Sequence, residues 1–295
     1  MSNVNLVKIS ADDDGMRFDR WLLKKYPSLS IGVVNKMLRA KQIKLDGKKA
    51  EGKTRIAEGQ EVRVPNIEAS EKRELPQNIS KADEKKILEM VIYKDKDIII
   101  INKPSGLAVQ GGTNTTKHID MMLDALKFEN EDKPKLVHRI DKETSGILLL
   151  ARNRKTAEKL TAKFKNHEIQ KTYLALCVNS PAKIKGEIKT LIDDKPAKTI
   201  YKVLKTIGKF ALIEAQPLSG RKHQIRIHLT SIGCPILGDD KHFYGKTREK
   251  ITGFDDKLHL HAFKIELDKL SIKAKLSKHF VKSLNKLGIS EDEIF

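Results

Sequence analysis

Leu136-Val-His-Arg-Ile-Asp-Lys-Glu-Thr-Ser-Gly-Ile-Leu-Leu-Leu-Ala151 holds the sharpest contrast in this chain. Its second half, Ile147 to Ala151, is an unbroken apolar run of the length and branching expected of a strand buried on both faces. Its first half packs His138, Arg139, Asp141, Lys142 and Glu143 together just ahead of Thr144-Ser145-Gly146. Ionisable groups at the mouth of a buried strand, carried on a turn of small residues, sit where a rigid scaffold holds a site. A solvated turn whose Asp141 or Thr144 bonds its own backbone would read the same way. The rest of the chain decides between the two.

At 295 residues there is room for about two domains, and a hydrophobic fraction of 39% suffices for a core. The 58 Lys and Arg against 39 Asp and Glu leave a formal net charge of +19, which implies a polyanionic partner, nucleic acid or an anionic membrane surface. No run approaches ~20 apolar residues and Met1 to Leu6 lacks signal-peptide anatomy, so membrane insertion is not expected. Cys177 and Cys234 fit neither a disulfide framework nor zinc spacing. They read as small buried hydrophobes in a reducing cytoplasm.

Residues 1–65 read as a compact basic module. A short helix from Arg17 to Tyr26 turns Phe18, Trp21 and Leu22 inward and stops at Pro27. Ser30 is placed to cap a second helix to Arg39, with Ile31, Val34 and Leu38 at helical spacing. Ile43 and Leu45 lead into the hairpin signal Asp46-Gly47, and Val62 and Val64 supply a later strand. Cations are dense here, among them Arg17, Arg20, Lys36, Arg39 and Lys41. Residues 66–89, including Glu68-Ala-Ser-Glu-Lys-Arg-Glu-Leu-Pro-Gln-Asn78, are polar and without sustained period, as a linker would be.

Residues 90–295 form the second expected domain. Val91-Ile92 and Ile98 to Ile101 read as strands, the latter closed by Asn102-Lys-Pro-Ser-Gly106. Asn153 can cap a helix whose apolar side is Ala157, Leu160 and Phe164. Lys171 to Val178 alternates, so Tyr173 shares a face with Ala175 and Cys177; that face either leaves room for a planar guest or makes Tyr173 a core tyrosine. Residues 183 to 206 are lysine-rich sheet with no evident chemistry. Past Gly220, the spacing of Ile225, Leu229 and Ile232 predicts a helix from near Lys222 to before Gly233, its basic start suited to phosphate. His259 and His261 share a strand face but lack a partner at ligand spacing, so no metal is expected. Leu276, Phe280 and Leu284 mark a basic amphipathic final helix.

His138-Arg139-Ile140-Asp141 followed by Thr144-Ser145-Gly146 resembles the HRLD-x-x-TSG signature of the RluA/RluC/RluD-type RNA pseudouridine synthases, with Ile140 standing for Leu. Asn102 to Gly106 is similar to that family's NKPxG, Lys171 to Tyr173 to its K-x-Y, and Gly220 to Arg226 to its GRxHQIR. Gly233 to Asp239, Tyr244-Gly245 and Leu260-His261-Ala262 continue the likeness, whereas Leu267-Asp-Lys-Leu270 stands where a histidine-proline pair is usual. Met16 to Val64 resembles an S4-type RNA-binding domain. The resemblance implies an α+β architecture: a small S4-type module linked to a catalytic domain on a mixed, mainly antiparallel sheet with flanking helices. It implies isomerisation of uridine in RNA to pseudouridine, with no cofactor.

In that reading Asp141 is the catalytic carboxylate, Arg226 its cationic partner, and Tyr173 the ring against the target base. Arg139 fills the gap left by the flipped base, while His138, Arg221, His223 and Lys103 lie against RNA. The S4-like module docks RNA through Arg17, Arg20, Lys36, Arg39 and Lys41. That module and Val109-Gln-Gly-Gly112 lean toward the branch acting on large-subunit ribosomal RNA, as a cytoplasmic monomer. Rival readings are a non-catalytic RNA-binding or ribosome-assembly factor and a relative acting on tRNA. A methyltransferase lacks its Gly-x-Gly cofactor loop here. A free-sugar glycosidase would want two acids and no large basic surface.

Overall fold

The computed structural model describes residues 4–65, 79–112, 115, 117–243, 251 and 253–294, which divide into two units between Asn78 and Ile79. The first contains β1 (Val4–Lys8), α1 (Phe18–Lys25), α2 (Ile31–Arg39), β2 (Lys44–Leu45) and β3 (Glu61–Pro65). Its antiparallel sheet has the order β1-β3-β2. Phe18, Trp21, Leu22, Val34 and Leu38 are buried together, as their spacing requires. The Ser30 hydroxyl caps α2 by accepting the Val33 N–H at 3.3 Å. Ile31 departs from the expected inner stripe and is 48% exposed, because the buried face of α2 begins only at Val34. Strand β1 is an addition to the expected elements. Its burial does not alternate and Leu6 is 61% exposed, so period two is missing from its wording.

In the second unit, residues 81–89 correct the expected linker, because they form helix α3 (Lys81–Glu89). The Ser80 side chain caps it by accepting the Asp83 N–H at 3.1 Å, and Ile87 is wholly buried. One buried anchor among charged residues does not make a visible period, which hid the helix. The remaining linker stretch, 66–78, lies outside the described residues, as do Tyr244 and Gly245.

After α3 come β4 (Val91–Lys94), β5 (Ile98–Lys103), α4 (Ile119–Met122), β6 (Lys135–Leu136), β7 (Ser145–Ala151), α5 (Arg154–Lys165) and β8 (Gln170–Val178). Then follow β9 (Lys185–Ile192), β10 (Lys195–Ile207), β11 (Phe210–Pro217), α6 (Gln224–Ser231), β12 (Leu260–Leu267), β13 (Leu270–Lys273) and α7 (Lys278–Lys286). They build one mixed sheet in the order β4-β5-β7-β12-β8-β11-β10-β9, with β6 on β7 and β13 on β12. The named strands pair antiparallel except at one seam, where β7 and β12 run parallel. Every residue of β7 is buried, as its apolar run demands. At the seam Gly146 has φ 105, and a Cβ there would collide with the Ala262 backbone. Only glycine lets the two strands approach.

Strand β8 sorts its side chains as the alternation predicts. Ala175 and Cys177 pack with Ile225 and Leu229 of α6, and Tyr173 packs against the same cluster. Leu174, Leu176 and Val178 face Phe280 and Leu284 of α7. Asn153 caps α5 by accepting the Thr156 N–H at 2.8 Å, and Cys177 and Cys234 are buried free thiols. The α6 face of the sheet therefore carries Tyr173, with the loop before β7 close by.

Candidate active site

Asp141 lies on the loop between β6 and β7, and the polar contacts around it pin that loop down. His138 Nε2 accepts the Leu149 N–H of β7 at 2.8 Å, and its ring stacks on Phe164 with centroids 4.5 Å apart. Burial, aided by nearby Lys171, holds His138 down to about 3, so it stays the neutral imidazole that an acceptor must be. The Asn102–Gly106 turn docks on the same loop: Gly106 N–H donates to the Lys142 carbonyl at 3.0 Å and Ser105 Oγ to that of Glu143 at 2.7 Å. Two separate stretches of sequence thus form one platform.

Lys103 is the clasp of that platform, which corrects its expected place against RNA. It is 0% exposed, and its ammonium donates to the carbonyls of Pro104, Leu107 and Lys142 at 3.0, 2.8 and 3.0 Å. Burial pushes it down to about 7, against the pull of Glu143 and Asp141. Three acceptors nonetheless match the three N–H groups that only an ammonium offers. Its side chain cannot reach a ligand.

Across the cleft, Tyr173 lies half-buried on β8, and burial, then the charge of Asp141, pushes its phenol up. At neutral pH it is protonated, a surface and hydrogen-bond donor more than a ready base. Helix α6 starts from His223, held in the left-handed region at φ 54. Gln224 locks this start: its Oε1 accepts from Ser219 Oγ and Arg221 N–H, and its Nε2 donates to the Lys198 carbonyl and Thr199 Oγ1.

Within the first turn of α6, Arg226 is buried and spends Nε and Nη2 on Asp239, at 2.8 and 2.5 Å. Only Nη1 faces Asp141 Oδ2, at 4.0 Å. The expected Arg226–Asp141 pairing is therefore a secondary contact, and the bidentate partner is Asp239, which sequence reasoning left without a role. Burial alone would raise the Asp239 carboxyl. Arg226 and the N–H groups of Lys241 and His242 hold it below the usual carboxylate range. His223 Nε2 stands 4.0 Å from Asp141 Oδ1, and its Nδ1 lies 2.8 Å from His242 Nε2.

These groups line a cavity of about 370 Å³, within the range of small-ligand sites. His138, Arg139, Asp141, Tyr173, Arg221, His223 and Arg226 all border it. Arg139 and Arg221 are exposed, the latter with Nε donating to the Pro196 carbonyl at 3.3 Å. In the other unit Arg20, Lys36, Arg39 and Lys41 are exposed, while Arg17 is half committed to Asp19 at 2.6 Å. His259 and His261 have ordinary partners, Ser283 Oγ at 2.7 Å and Ser145 Oγ at 2.9 Å. Among the described residues no cluster of three His, Cys, Asp or Glu could hold a metal. Nor is any helix there long and apolar enough to cross a membrane. The site offers one carboxylate with a guanidinium and an imidazole aimed at it, beside an aromatic ring.

Residues 97–231 match the family model described as RNA pseudouridylate synthase. Ribosomal large subunit pseudouridine synthase C of Rickettsia bellii is 40% identical, the match covering 90% of this chain and 95% of that protein. The Vibrio cholerae protein of the same name is 31% identical over 97% and 98%. Among solved structures, human RNA pseudouridylate synthase domain containing 4 matches with TM-score 0.62 and 30% identity, over 70% of this chain and 95% of that one. Likeness of this extent, with the carboxylate, guanidinium and tyrosine gathered on one cleft, means that the chain belongs to the RNA pseudouridylate synthase family, enzymes that isomerise uridine in RNA to pseudouridine.

Proposed function

We propose that this chain acts on large-subunit ribosomal RNA, with Asp141 as the catalytic carboxylate. The observation that carries the assignment is Asp141 itself, part-exposed to the cavity and faced by Arg226 Nη1 and His223 Nε2 at 4.0 Å each. A carboxylate leaving water needs such neighbours to remain ionised, and neither is close enough to occupy its oxygens. The target nucleotide has to leave its stack, at a cost of a few kcal/mol that is least in single-stranded loops. Exposed Arg139 would fill the vacated place, and the flipped uracil would lie against Tyr173. The ribosomal target is supported by the names of the relatives and by the net charge of +19. The first unit, with its S4-like wording and exposed cations, would dock the RNA, and the enzyme would work as a cytoplasmic monomer.

The isomerisation exchanges the C1′–N1 bond for C1′–C5 and moves a proton from C5 to N1. Large-subunit RNA transcribed with 5-tritiated uridine should therefore release tritium to water in the presence of this protein alone. In Asp141→Asn, turnover should fall by ~10⁴ or more while RNA affinity stays within a few fold. Retained turnover would remove Asp141 from the role. Release from tRNA but not from ribosomal RNA would move the target.

A further inference from the structure

Both donors that face Asp141 are held from behind by one short turn, residues 239 to 242. The Asp239 carboxylate forks onto Arg226, and its Oδ1 also accepts the N–H groups of Lys241 and His242, folding the turn on itself. Thr230 Oγ1 of α6 donates to the His242 carbonyl at 2.9 Å. The imidazole so fixed meets His223 edge to face, with Nε2 2.8 Å from His223 Nδ1.

A hydrogen bond between two neutral imidazoles has one proton, and its direction decides what His223 turns toward Asp141. If His223 donated, its Nε2 lone pair would point at the carboxylate, a repulsive arrangement. If His242 donates, His223 carries its proton on Nε2 and presents an N–H to Asp141. The charges facing the pair are Asp141, Arg226 and Lys241, with Asp239 also facing His242. With Arg226 already beside them, a neutral pair that polarises Asp141 through an N–H dipole costs less than a second full cation. We propose that the 239–242 turn is a positioning element for the isomerisation, in which His242 fixes the tautomer of His223 so that Nε2–H faces Asp141. The proposal rests on the assignment of Asp141 to catalysis, but its structural half can be read without turnover.

The test compares the full chain with His242→Phe, which removes the donor, and His242→Gln, whose side-chain N–H₂ can replace it. Two-bond ¹H–¹⁵N spectra, with the His223 ring assigned from His223→Gln, should show the Nε2–H tautomer in the parent and in His242→Gln, and a mixture in His242→Phe. Turnover should fall at least ~10-fold in His242→Phe with unchanged KM for RNA and a shifted acid limb of the pH profile, since the other tautomer turns a lone pair, not an N–H, toward the Asp141 carboxylate. His242→Gln should recover most of it. A parent His223 protonated on Nδ1, or a tautomer and pH profile indifferent to His242→Phe, overturns the proposal. Equal impairment of both variants does so too, because it marks a packing role. A parent that holds the expected tautomer yet makes no pseudouridine overturns the functional reading instead.

Discussion

Replacing Lys103 by Met would leave the carbonyls of Pro104, Leu107 and Lys142 without their donor. Each orphaned acceptor costs about 1–3 kcal/mol, so urea unfolding should show a loss of ~3 kcal/mol or more. Turnover should fall as well, with the loosened Asp141 loop. An unchanged midpoint would mean water replaces the ammonium. His259 and His261, both wholly buried, are pushed down by burial to about 4 and about 3. In the unfolded chain they take up protons near pH 6.5, whereas the folded chain resists. Stability should therefore be complete above pH 6.5 and decline as pH falls from there toward 4, by about 1.4 kcal/mol per pH unit for each histidine. Denaturation midpoints at pH 7.5, 6 and 5 test the sign. Among such individual side chains, Asp141, Tyr173 and Arg226 could be picked out because they fall in wording that resembles the family's HRLD, K-x-Y and GRxHQIR motifs. Lys103 could be picked out but not placed, because nothing in a sequence says whether a lysine beside a turn faces water or three carbonyls. Asp239 is 13 residues from Arg226, and only the fold brings them together.

Helices and strands declared themselves mainly through caps and periods. Ser30 and Asn153 read as caps and bond the expected N–H groups. Two of the elements that escaped, β1 and α3, share a reason: each shows the core too few side chains to leave a rhythm. The β7–β12 seam was beyond sequence altogether, since a parallel contact between residues more than a hundred positions apart has no local signature. Gly146 is its sequence trace. Gly146→Ala must push Ala262 away and also adopt φ 105, a region that L residues avoid. Loss of the fold, or a drop of several degrees in melting temperature, is expected by circular dichroism, and a wild-type melt would mean the seam can open without cost.

Over the molecule as a whole, charge is the dominant property. If the exposed cations of the first unit dock RNA, replacing Arg20, Lys36, Arg39 and Lys41 by glutamine should weaken binding at low salt. The log–log salt slope should flatten by up to ~0.7–0.9 for each phosphate no longer neutralised. A filter-binding series from 50 to 200 mM salt decides it; an unaltered slope would assign RNA capture to the second unit alone. Topology adds a different consequence. Strand β12, residues 260–267, is the piece that joins β4-β5-β7 to β8-β11-β10-β9. A chain still emerging from the ribosome has two half-sheets with raw edges and no closed cleft until that late segment is out. Translation cut short anywhere before it should yield a sticky fragment for chaperones and proteases to clear, never a slow enzyme loose among nascent ribosomes.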